Sequence, residues 1–195
     1  PGDTVSGGAG TDTLTISVAG TSTVDQAINA ITTTGVEKLY VTNYDANTTD
    51  SEDTAVDTSL MTGLTTIGLT ASNATGDTSF TGVKSIVATE MRNGAADLTL
   101  TYDGTYKVTG SADIQKLTIS GVTAGTFDAD GIETINVNSE LVKSTLTAVT
   151  AASSLKTVNV TGDKDLTISN ALGFAATASG TTIEGTLDAS AFTGK

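Results

Sequence analysis

The sequence contains no cysteine, no histidine and no tryptophan, and Arg92 is its only arginine among 195 residues. Without cysteine or histidine, thiol chemistry and the usual zinc sites are excluded. The missing histidine also removes the base that normally activates a serine nucleophile. Few aromatic side chains and one arginine leave little from which to build a glycosidase or lyase cleft. We therefore expect that this protein is not an enzyme.

Positive charge is scarce as well. The chain has 22 acidic and 9 basic residues, which gives a net charge of -13. Such a surface repels nucleic acids and anionic bilayers. No apolar run is long enough to span a membrane, so we predict no membrane insertion and no nucleic-acid partner. A hydrophobic content of 37% is typical of a folded chain, and calcium is the natural counter-ion for its carboxylates.

The most specific motif opens the chain. It is the nonapeptide pattern G-G-x-G-x-D-x-U-x of calcium-binding β-rolls, where U is a large apolar residue. Its defined positions are filled by Gly7, Gly8, Gly10, Asp12 and Leu14. Asp3 and Val5 lie nine positions before Asp12 and Leu14 and represent the preceding repeat. The alternative is a glycine-rich hairpin loop capped by Asp12. Because a lone repeat does not form a stable roll, we expect the chain to belong to a longer protein.

Beyond residue 18 the chain repeats one phrase: an apolar anchor, two polar residues, and then an alternating strand. The copies are residues 36–41, 64–69, 83–88, 114–119, 132–137 and 155–160. Apolar residues at the first, fourth and sixth places favour strands buried on one face. Roughly twenty residues per copy is typical of a parallel β-solenoid. We therefore predict an all-β solenoid over residues 19–195, preceded by a partial β-roll coil over residues 1–18.

Weaker segments are expected to complete the coils. Residues 98–102, 166–169 and 183–187 are predicted to be strands on a second face of the solenoid. Residues 141–152 could be a helix or a coil, and their threonines favour the coil. Residues 23–33 follow Ser22 or Thr23 as a helix cap, have Gly35 placed to end the helix, and show helical apolar spacing in Val24, Ala27, Ile28 and Ile31. We predict one short helix there, packed over the solenoid.

An acidic segment covers residues 45–57. It offers a possible oxygen cage for calcium built from Asp45, Asn47 and Asp50, with Asp53 or another nearby carboxylate completing the shell. The alternative is a solvated acidic loop between two coils, since no glycine occupies the position that an EF-hand loop requires. Both interpretations stay open from the sequence.

Two smaller pairs of carboxylates are two residues apart, a spacing that places both on one face of a strand. They are Asp128 with Asp130 and Asp163 with Asp165. Each pair could bind calcium, or could simply be turn chemistry next to glycine. Tyrosines 44, 102 and 106 could stack on sugars, although such side chains more often seal the edge of a core.

Several of these segments together resemble the RTX-type crystalline surface-layer proteins of Gram-negative bacteria. The similarity lies in residues 2–14, 131–137, 155–162 and 187–194. The nonapeptide is shared with secreted toxins, proteases and adhesins, whereas the phrase at residues 131–137 and the Asp-Ala-Ser run near the end favour the surface-layer branch. One and a half nonapeptides stand here in place of the usual array.

The resemblance implies a right-handed solenoid, export by a type I system, calcium-dependent folding and assembly into a lattice on the cell surface. It assigns Asp3 and Asp12 as carboxylate ligands, with backbone carbonyls near Gly8 and Gly10. The expected function is a structural segment of a secreted surface layer that associates with itself, and regions outside this chain could contact outer-membrane glycan. The alternative is a repeat segment of a large RTX adhesin that binds a host or biofilm ligand.

Overall fold

Short segments rich in threonine and valine, separated by glycine, asparagine and aspartate, form the strands of this chain. The computed structural model describes residues 3–20, 26–45, 54–104, 108–152, 154–176 and 184–195. Within these residues there are eighteen β-strands and no helix. The strands are β1 (Thr4–Ser6), β2 (Thr13–Gly20), β3 (Gln26–Ile28), β4 (Thr32–Thr34), β5 (Lys38–Asp45), β6 (Thr54–Asp57), β7 (Thr66–Thr70), β8 (Thr78–Val83), β9 (Ala88–Arg92), β10 (Leu98–Tyr102), β11 (Ile114–Ser120), β12 (Thr126–Ala129), β13 (Thr134–Ser139), β14 (Ser144–Leu146), β15 (Ala148–Thr150), β16 (Thr157–Gly162), β17 (Leu166–Ile168) and β18 (Thr186–Asp188).

The strands form two large parallel sheets. The first has eight strands in the order β18-β16-β13-β11-β9-β7-β5-β2, and the second has six in the order β15-β12-β10-β8-β6-β3. Two small sheets, β1-β4 and β14-β17, complete the cross-section. Because each coil pairs with the next in sequence, the molecule is a parallel β-solenoid of about six turns. The solenoid is confirmed, while its right-handedness stays a prediction.

The core is a stack of apolar rows between the two large sheets. One row runs through Val41, Leu69, Met91 and Ile119, each paired with the next in register. Strand alternation turns these residues inward and their polar neighbours outward. On the opposite sheet, Phe80, Leu98, Leu100 and Phe127 are fully buried. Stacking like residues on successive coils therefore accounts for the core.

The coils turn at two opposite edges of the solenoid. The entry edge comprises the residues that lead into strands of the eight-stranded sheet: 35–37, 58–65, 84–87, 108–113, 130–133 and 154–156. The exit edge comprises those that follow these strands: 71–77, 93–97, 121–125, 140–143 and 163–165. Left-handed residues make the turns at both edges, among them Gly35 (φ 62°), Gly131 (φ 87°), Ala71 (φ 53°) and Gly121 (φ 66°).

Backbone hydrogen bonds lock successive coils together at the entry edge. The carbonyl of Asp12 accepts from the amides of Glu37 (3.1 Å) and Lys38 (3.0 Å). The carbonyl of Glu133 accepts from the amides of Lys156 (2.8 Å) and Thr157 (3.0 Å) in the same way. These bonds satisfy backbone groups that the turns would otherwise leave unpaired.

The helix predicted over residues 23–33 is wrong. Within the described part of that range, β3 pairs with β6 and β4 pairs with β1. Ile28 and Ile31 do pack against the core, but Ile28 does so from the end of β3 and Ile31 from the position just before β4. The apolar spacing that predicted a helix also fits two short strands meeting at a corner, and the β-branched run Thr32–Thr34 of β4 favours a strand. The coil preference for residues 141–152 agrees with strands β14 and β15.

The repeated phrase was phased correctly in most copies. All three apolar places are buried in the copies at 36–41, 132–137 and 155–160. The copy at 83–88 is shifted, because Ile86 is 39% exposed while Val87, Thr89 and Met91 are buried. Ile114 is 49% exposed although it opens its copy. Both exceptions lie where a coil enters the eight-stranded sheet.

Three further segment predictions have mixed outcomes. Residues 98–102 form β10 on the six-stranded sheet as expected, whereas β17 pairs only with β14, and β18 joins the eight-stranded sheet. At the two ends of the acidic segment predicted as a loop or a calcium cage over residues 45–57, Asp45 ends β5 and Thr54–Asp57 form β6, while residues 46–53 lie outside the described residues. No helix within the described residues is long and apolar enough to cross a membrane.

Candidate metal-binding turns

The N-terminal nonapeptide forms the turn between β1 and β2. Gly8 and Gly10 adopt left-handed conformations, with φ of 93° and 118°, which glycine reaches without steric cost. The amide of Gly7 donates to the carbonyl of Thr34 at 2.9 Å. A Cβ placed on Gly35 would lie 2.6 Å from the carbonyl oxygen of Gly8. Glycines on both coils thus allow this turn to lie directly on the next coil.

Asp12 is the functional side chain that this turn positions. Its Oδ2 is buried and accepts no hydrogen bond from the described residues. Its backbone amide donates to Oε2 of Glu37 at 2.8 Å, so the two acidic residues are neighbours on adjacent coils. A buried carboxylate oxygen without a donor is costly unless a cation or water completes it. The arrangement can therefore supply one strong oxygen ligand.

The other N-terminal candidates are less enclosed. The side chain of Asp3 is exposed, and its carbonyl accepts from the amide of Thr32 at 2.9 Å. No group of three acidic side chains that could hold a metal ion occurs within the described ranges. Any cation at Asp12 would therefore need main-chain oxygens, for which the carbonyls of Gly8 and Gly10 stay the predicted source.

Asp45 lies at the start of the acidic segment and is only 5% exposed. Its amide donates to Oδ1 of Asn43 at 3.0 Å. Its carbonyl accepts from Nδ2 of Asn73 (2.8 Å) and from the hydroxyl of Thr75 (2.6 Å). Oδ1 of Asn73 is buried without a partner among the described residues. The proposed partners Asn47, Asp50 and Asp53 lie outside the described residues.

Asp128 and Asp130 flank the end of β12. Oδ1 of Asp128 accepts a short hydrogen bond of 2.5 Å from the hydroxyl of Thr150 on the next coil. Burial, together with the charge of Asp128, raises the pKa of Asp130 above its usual range. Two nearby carboxylates that repel each other could share a cation, although the bond to Thr150 already engages Asp128 as an inter-coil contact.

A charged cluster lies on the outer face of the eight-stranded sheet. Nε of Arg92 contacts Oε2 of Glu90 at 2.7 Å, and its Nη2 contacts Oε1 of Glu140 at 3.0 Å. The hydroxyl of Tyr40 donates to Glu90 at 2.8 Å. Burial and this hydrogen bond raise the pKa of Tyr40 to about 12. Arg92, the only arginine in the sequence, thus joins β9 to the turn that follows β13.

Further along the same face, amides and hydroxyls align in register. Nδ2 of Asn159 donates to Oδ1 of Asn136 at 2.8 Å, and the hydroxyl of Thr161 donates to Oδ1 of Asn138 at 3.3 Å. Together with Lys116 they line an open groove of about 410 Å³. Its neutral donors and acceptors suit a polyhydroxylated ligand.

The tyrosines considered for sugar stacking separate into different environments. Tyr102 packs against the core and its hydroxyl donates to Oε1 of buried Gln115 at 2.6 Å. Burial raises its pKa above the usual range. Tyr44 is 50% exposed, and Tyr106 lies outside the described residues. Tyr102 therefore seals a core edge.

Sequence reasoning missed the glutamates of the entry edge. Oε2 of Glu37 accepts from the amide of Asp12, and Oε2 of Glu133 accepts from the amide of Asp113 at 2.9 Å. Both glutamates occupy the second place of their phrase. That shared position was the available signal, because an acidic residue just before a strand can cap the turn of the preceding coil.

Comparisons with protein-family models, with curated proteins and with solved structures give no match for this chain. Its function must therefore be argued from its own residues and from the solenoid.

Proposed function

We propose that this chain is a structural segment of a secreted, calcium-dependent bacterial surface layer of the RTX type. In this role the solenoid coils are building blocks of an extracellular lattice, and the chain has no catalytic function. Assembly, rather than turnover, is what the protein does. The observation that carries the proposal is the buried Oδ2 of Asp12, which has no hydrogen-bond partner among the described residues, in a nonapeptide turn stacked on the next coil.

The oxygen atoms that this turn offers are of the kinds that calcium binds. It takes oxygen ligands from carboxylates and main-chain carbonyls in irregular geometry. Asp12 would supply the carboxylate, with Gly8 and Gly10 supplying carbonyls, and Asp3 would serve a neighbouring position. When bound, the ion would neutralise carboxylates that otherwise repel in a chain of net charge -13. A ligand that binds only the folded chain stabilises it by mass action.

The test is a calcium titration of the chelated chain, followed by circular dichroism and light scattering together. Magnesium is the matched cation control, since it demands stricter octahedral geometry and keeps its waters. We expect strand signal and particle size to rise with calcium and not with magnesium. The Asp12→Asn variant preserves the side-chain size and should need more calcium for the same response. No response of the unmodified chain at millimolar calcium would overturn the proposal.

A second candidate function is an adhesin segment that binds a host or biofilm glycan. It is favoured by the groove in which the amides of Asn136, Asn138 and Asn159 and the hydroxyl of Thr161 lie beside Lys116 on the outer face of the sheet. The two functions differ in what they bind. An adhesin segment should stay monomeric with calcium and retain a glycan on an array, and an Asn159→Ala, Asn136→Ala double variant should lose that retention.

A further inference from the structure

Two rows of polar side chains cross the outer face of the eight-stranded sheet at strands β11, β13 and β16. Neighbours within a row are about 4.8 Å apart, because they stand in register on adjacent strands. The first row consists of Lys116, Asn136 and Asn159, and the second of Thr118, Asn138 and Thr161. These side chains line the open groove of about 410 Å³.

The second row satisfies its own polar groups. The hydroxyl of Thr161 donates to Oδ1 of Asn138 at 3.3 Å, and Nδ2 of Asn138 donates to Oε2 of Glu140 at 3.1 Å. Glu140 is also paired with Arg92 at 3.0 Å. This row is therefore a fixed wall of the groove, and the carboxylate beside it is already neutralised.

The first row has donors to spare. Nδ2 of Asn159 donates to Oδ1 of Asn136 at 2.8 Å. Since the oxygen and nitrogen of an amide lie on opposite sides of its carbon, Nδ2 of Asn136 is turned away from β16, on the side where Lys116 stands in register. Within the described residues, Nδ2 of Asn136 has no acceptor and Nζ of Lys116 has no ion pair. An amide donor and a charged donor thus adjoin without an acceptor of their own.

The first row also has opposite charges at its two ends. Lys116 is exposed at one end, and Asp188 of β18 pairs with Asn159 at the other. Glu90 lies on the strand next to β11 but is paired with Arg92 at 2.7 Å. Charges beyond about 8 Å are largely screened at physiological ionic strength, so these neighbours matter more than the net charge of -13. A ligand with one anionic group would be oriented with that group at Lys116.

We propose that this groove binds a carboxylated sugar of the uronic-acid type. Lys116 and Asn136 would donate to the sugar carboxylate, and Oδ1 of Asn159, which accepts no hydrogen bond within the described residues, would accept from a sugar hydroxyl. Hydrogen bonds between ionised partners are stronger than neutral ones. The groove should therefore prefer an acidic sugar to a neutral one. This specificity depends on the glycan-binding function proposed as the second candidate.

A trisaccharide of galacturonic acid and its methyl ester are the matched probes, because the ester keeps the sugar framework and removes the charge. Each is titrated into the isotope-labelled chain at one fixed calcium concentration, and the backbone and side-chain amide signals are followed by NMR. The acid should bind about 5–10-fold more tightly than the ester. The side-chain amide signals of Asn136 and Asn159 should shift most.

Variants of two lysines locate the contact. Lys116→Gln should lose the preference for the acid, whereas Lys116→Arg keeps the positive charge and its donors and should retain it. Lys38→Gln is the matched control, since Lys38 alternates with buried Leu39 on the same sheet and does not line the groove. It changes the net charge by the same amount and should leave both affinities unchanged. A loss in Lys38→Gln as large as in Lys116→Gln would overturn the assignment to this groove.

The two sugars also separate the specificity from the function on which it depends. Equal affinities for the acid and the ester, with shifts at Asn136 and Asn159, would overturn the acidic specificity and leave glycan binding in place. No shift with either sugar would overturn glycan binding, and the specificity with it.

Discussion

The first coil and the second coil carry the same pattern in different surroundings. Leu14 and Ile16 of β2 pair in register with Leu39 and Val41 of β5. Leu39 and Val41 are fully buried, whereas Leu14 and Ile16 are only partly buried. The residues are equally apolar, so position in the stack decides their burial. In a solenoid, stability comes mainly from contacts with the neighbouring coil on each side.

Truncation of the paired leucines should reveal this difference most strongly. Leu39→Ala should lower the free energy of unfolding by about 2–5 kcal/mol, because it leaves a cavity between two coils. Leu14→Ala should cost only about 1 kcal/mol, since water already reaches part of its side chain. Urea unfolding of both variants measures the two values. Equal losses would mean that the first coil is packed as well as the second.

Glycines at which two coils approach closely allow the first coil to be compared with a middle coil more directly. A Cβ on Gly68 would lie 2.5 Å from the carbonyl oxygen of Glu90 and 3.0 Å from the ring of Tyr40. Tyr40 lies in β5 and Glu90 in β9, and each of these strands is paired with another strand on both sides. Neither can move away easily, so Gly68→Ala should cost about 1–3 kcal/mol. Gly7 in the first coil is approached even more closely, by the carbonyl of Gly35. Gly7→Ala should nevertheless cost less in this chain, because β1 pairs only with β4 among the described strands and can shift outward.

Thermal unfolding of the two alanine variants tests this ranking. Gly104→Ala is the matched control, since a Cβ there meets nothing within 4 Å. It should be neutral or slightly stabilising. A greater loss at Gly7 than at Gly68 would show that the first coil is held as rigidly as the middle.

Low pH should also lower the free energy of unfolding by different amounts through carboxylates in the middle coils and carboxylates in the last coils. Burial raises the pKa of Glu90, but hydrogen bonds from Arg92 and Tyr40 outweigh it and hold the pKa below its usual value. A lowered pKa stabilises the fold above the usual glutamate range, and this contribution is lost as pH falls through the folded value. The cluster is partly exposed, so its loss should not exceed about 1 kcal/mol.

Urea unfolding between neutral and acidic pH measures this contribution. Glu90→Gln should flatten part of the acid dependence. The pKa of Asp163 is likewise lowered, by Lys164, but this pair is exposed near the end of the stack. Asp163→Asn should therefore leave the acid profile of the unmodified chain unchanged. An equal flattening in both variants would contradict a special role for the partly buried network around Arg92.

The repeated phrase was sufficient to predict the parallel solenoid, because anchors such as Val36 and Ile132 recur with strand alternation. It could not predict that Ile86 would be exposed, since coil length varies and shifts the phase of its copy, nor that Ile114 would be exposed in a copy that keeps its phase. It also mistook Ile28 and Ile31 for a helical face. Local spacing does not distinguish a helix from two strands at a corner, and pairing with distant coils decides.

The candidate site was predictable only in part. The nonapeptide identified Asp12 and the glycines of its turn directly. The contact between Asp12 and Glu37 spans 25 residues, and it exists only because the first coil has that length. The environment of Asp45, which is made by Asn73 and Thr75, likewise depends on a coil that begins much later. Residues that act locally were found, and those that meet across coils were not.

The smallest expected effect concerns a turn in the middle of the stack. Ala71 has φ of 53°, and its amide donates to the carbonyl of Arg92 on the next coil at 2.8 Å. The neighbouring coil therefore enforces the left-handed conformation. Ala71→Gly should relieve about 1–2 kcal/mol of strain and lose about 0.5–1 kcal/mol to the entropy of the unfolded chain. The melting temperature should rise slightly, as differential scanning calorimetry would show.

Ala9 supplies the contrast in the first coil. It is absent from the residues with positive φ, although glycines with positive φ flank it on both sides. Ala9→Gly therefore relieves no strain and should bring no gain in melting temperature. If Ala71→Gly also brought no gain, the middle coil would be able to relax around its strained turn. The rigidity assigned to coils that are held on both sides would then have to be reduced.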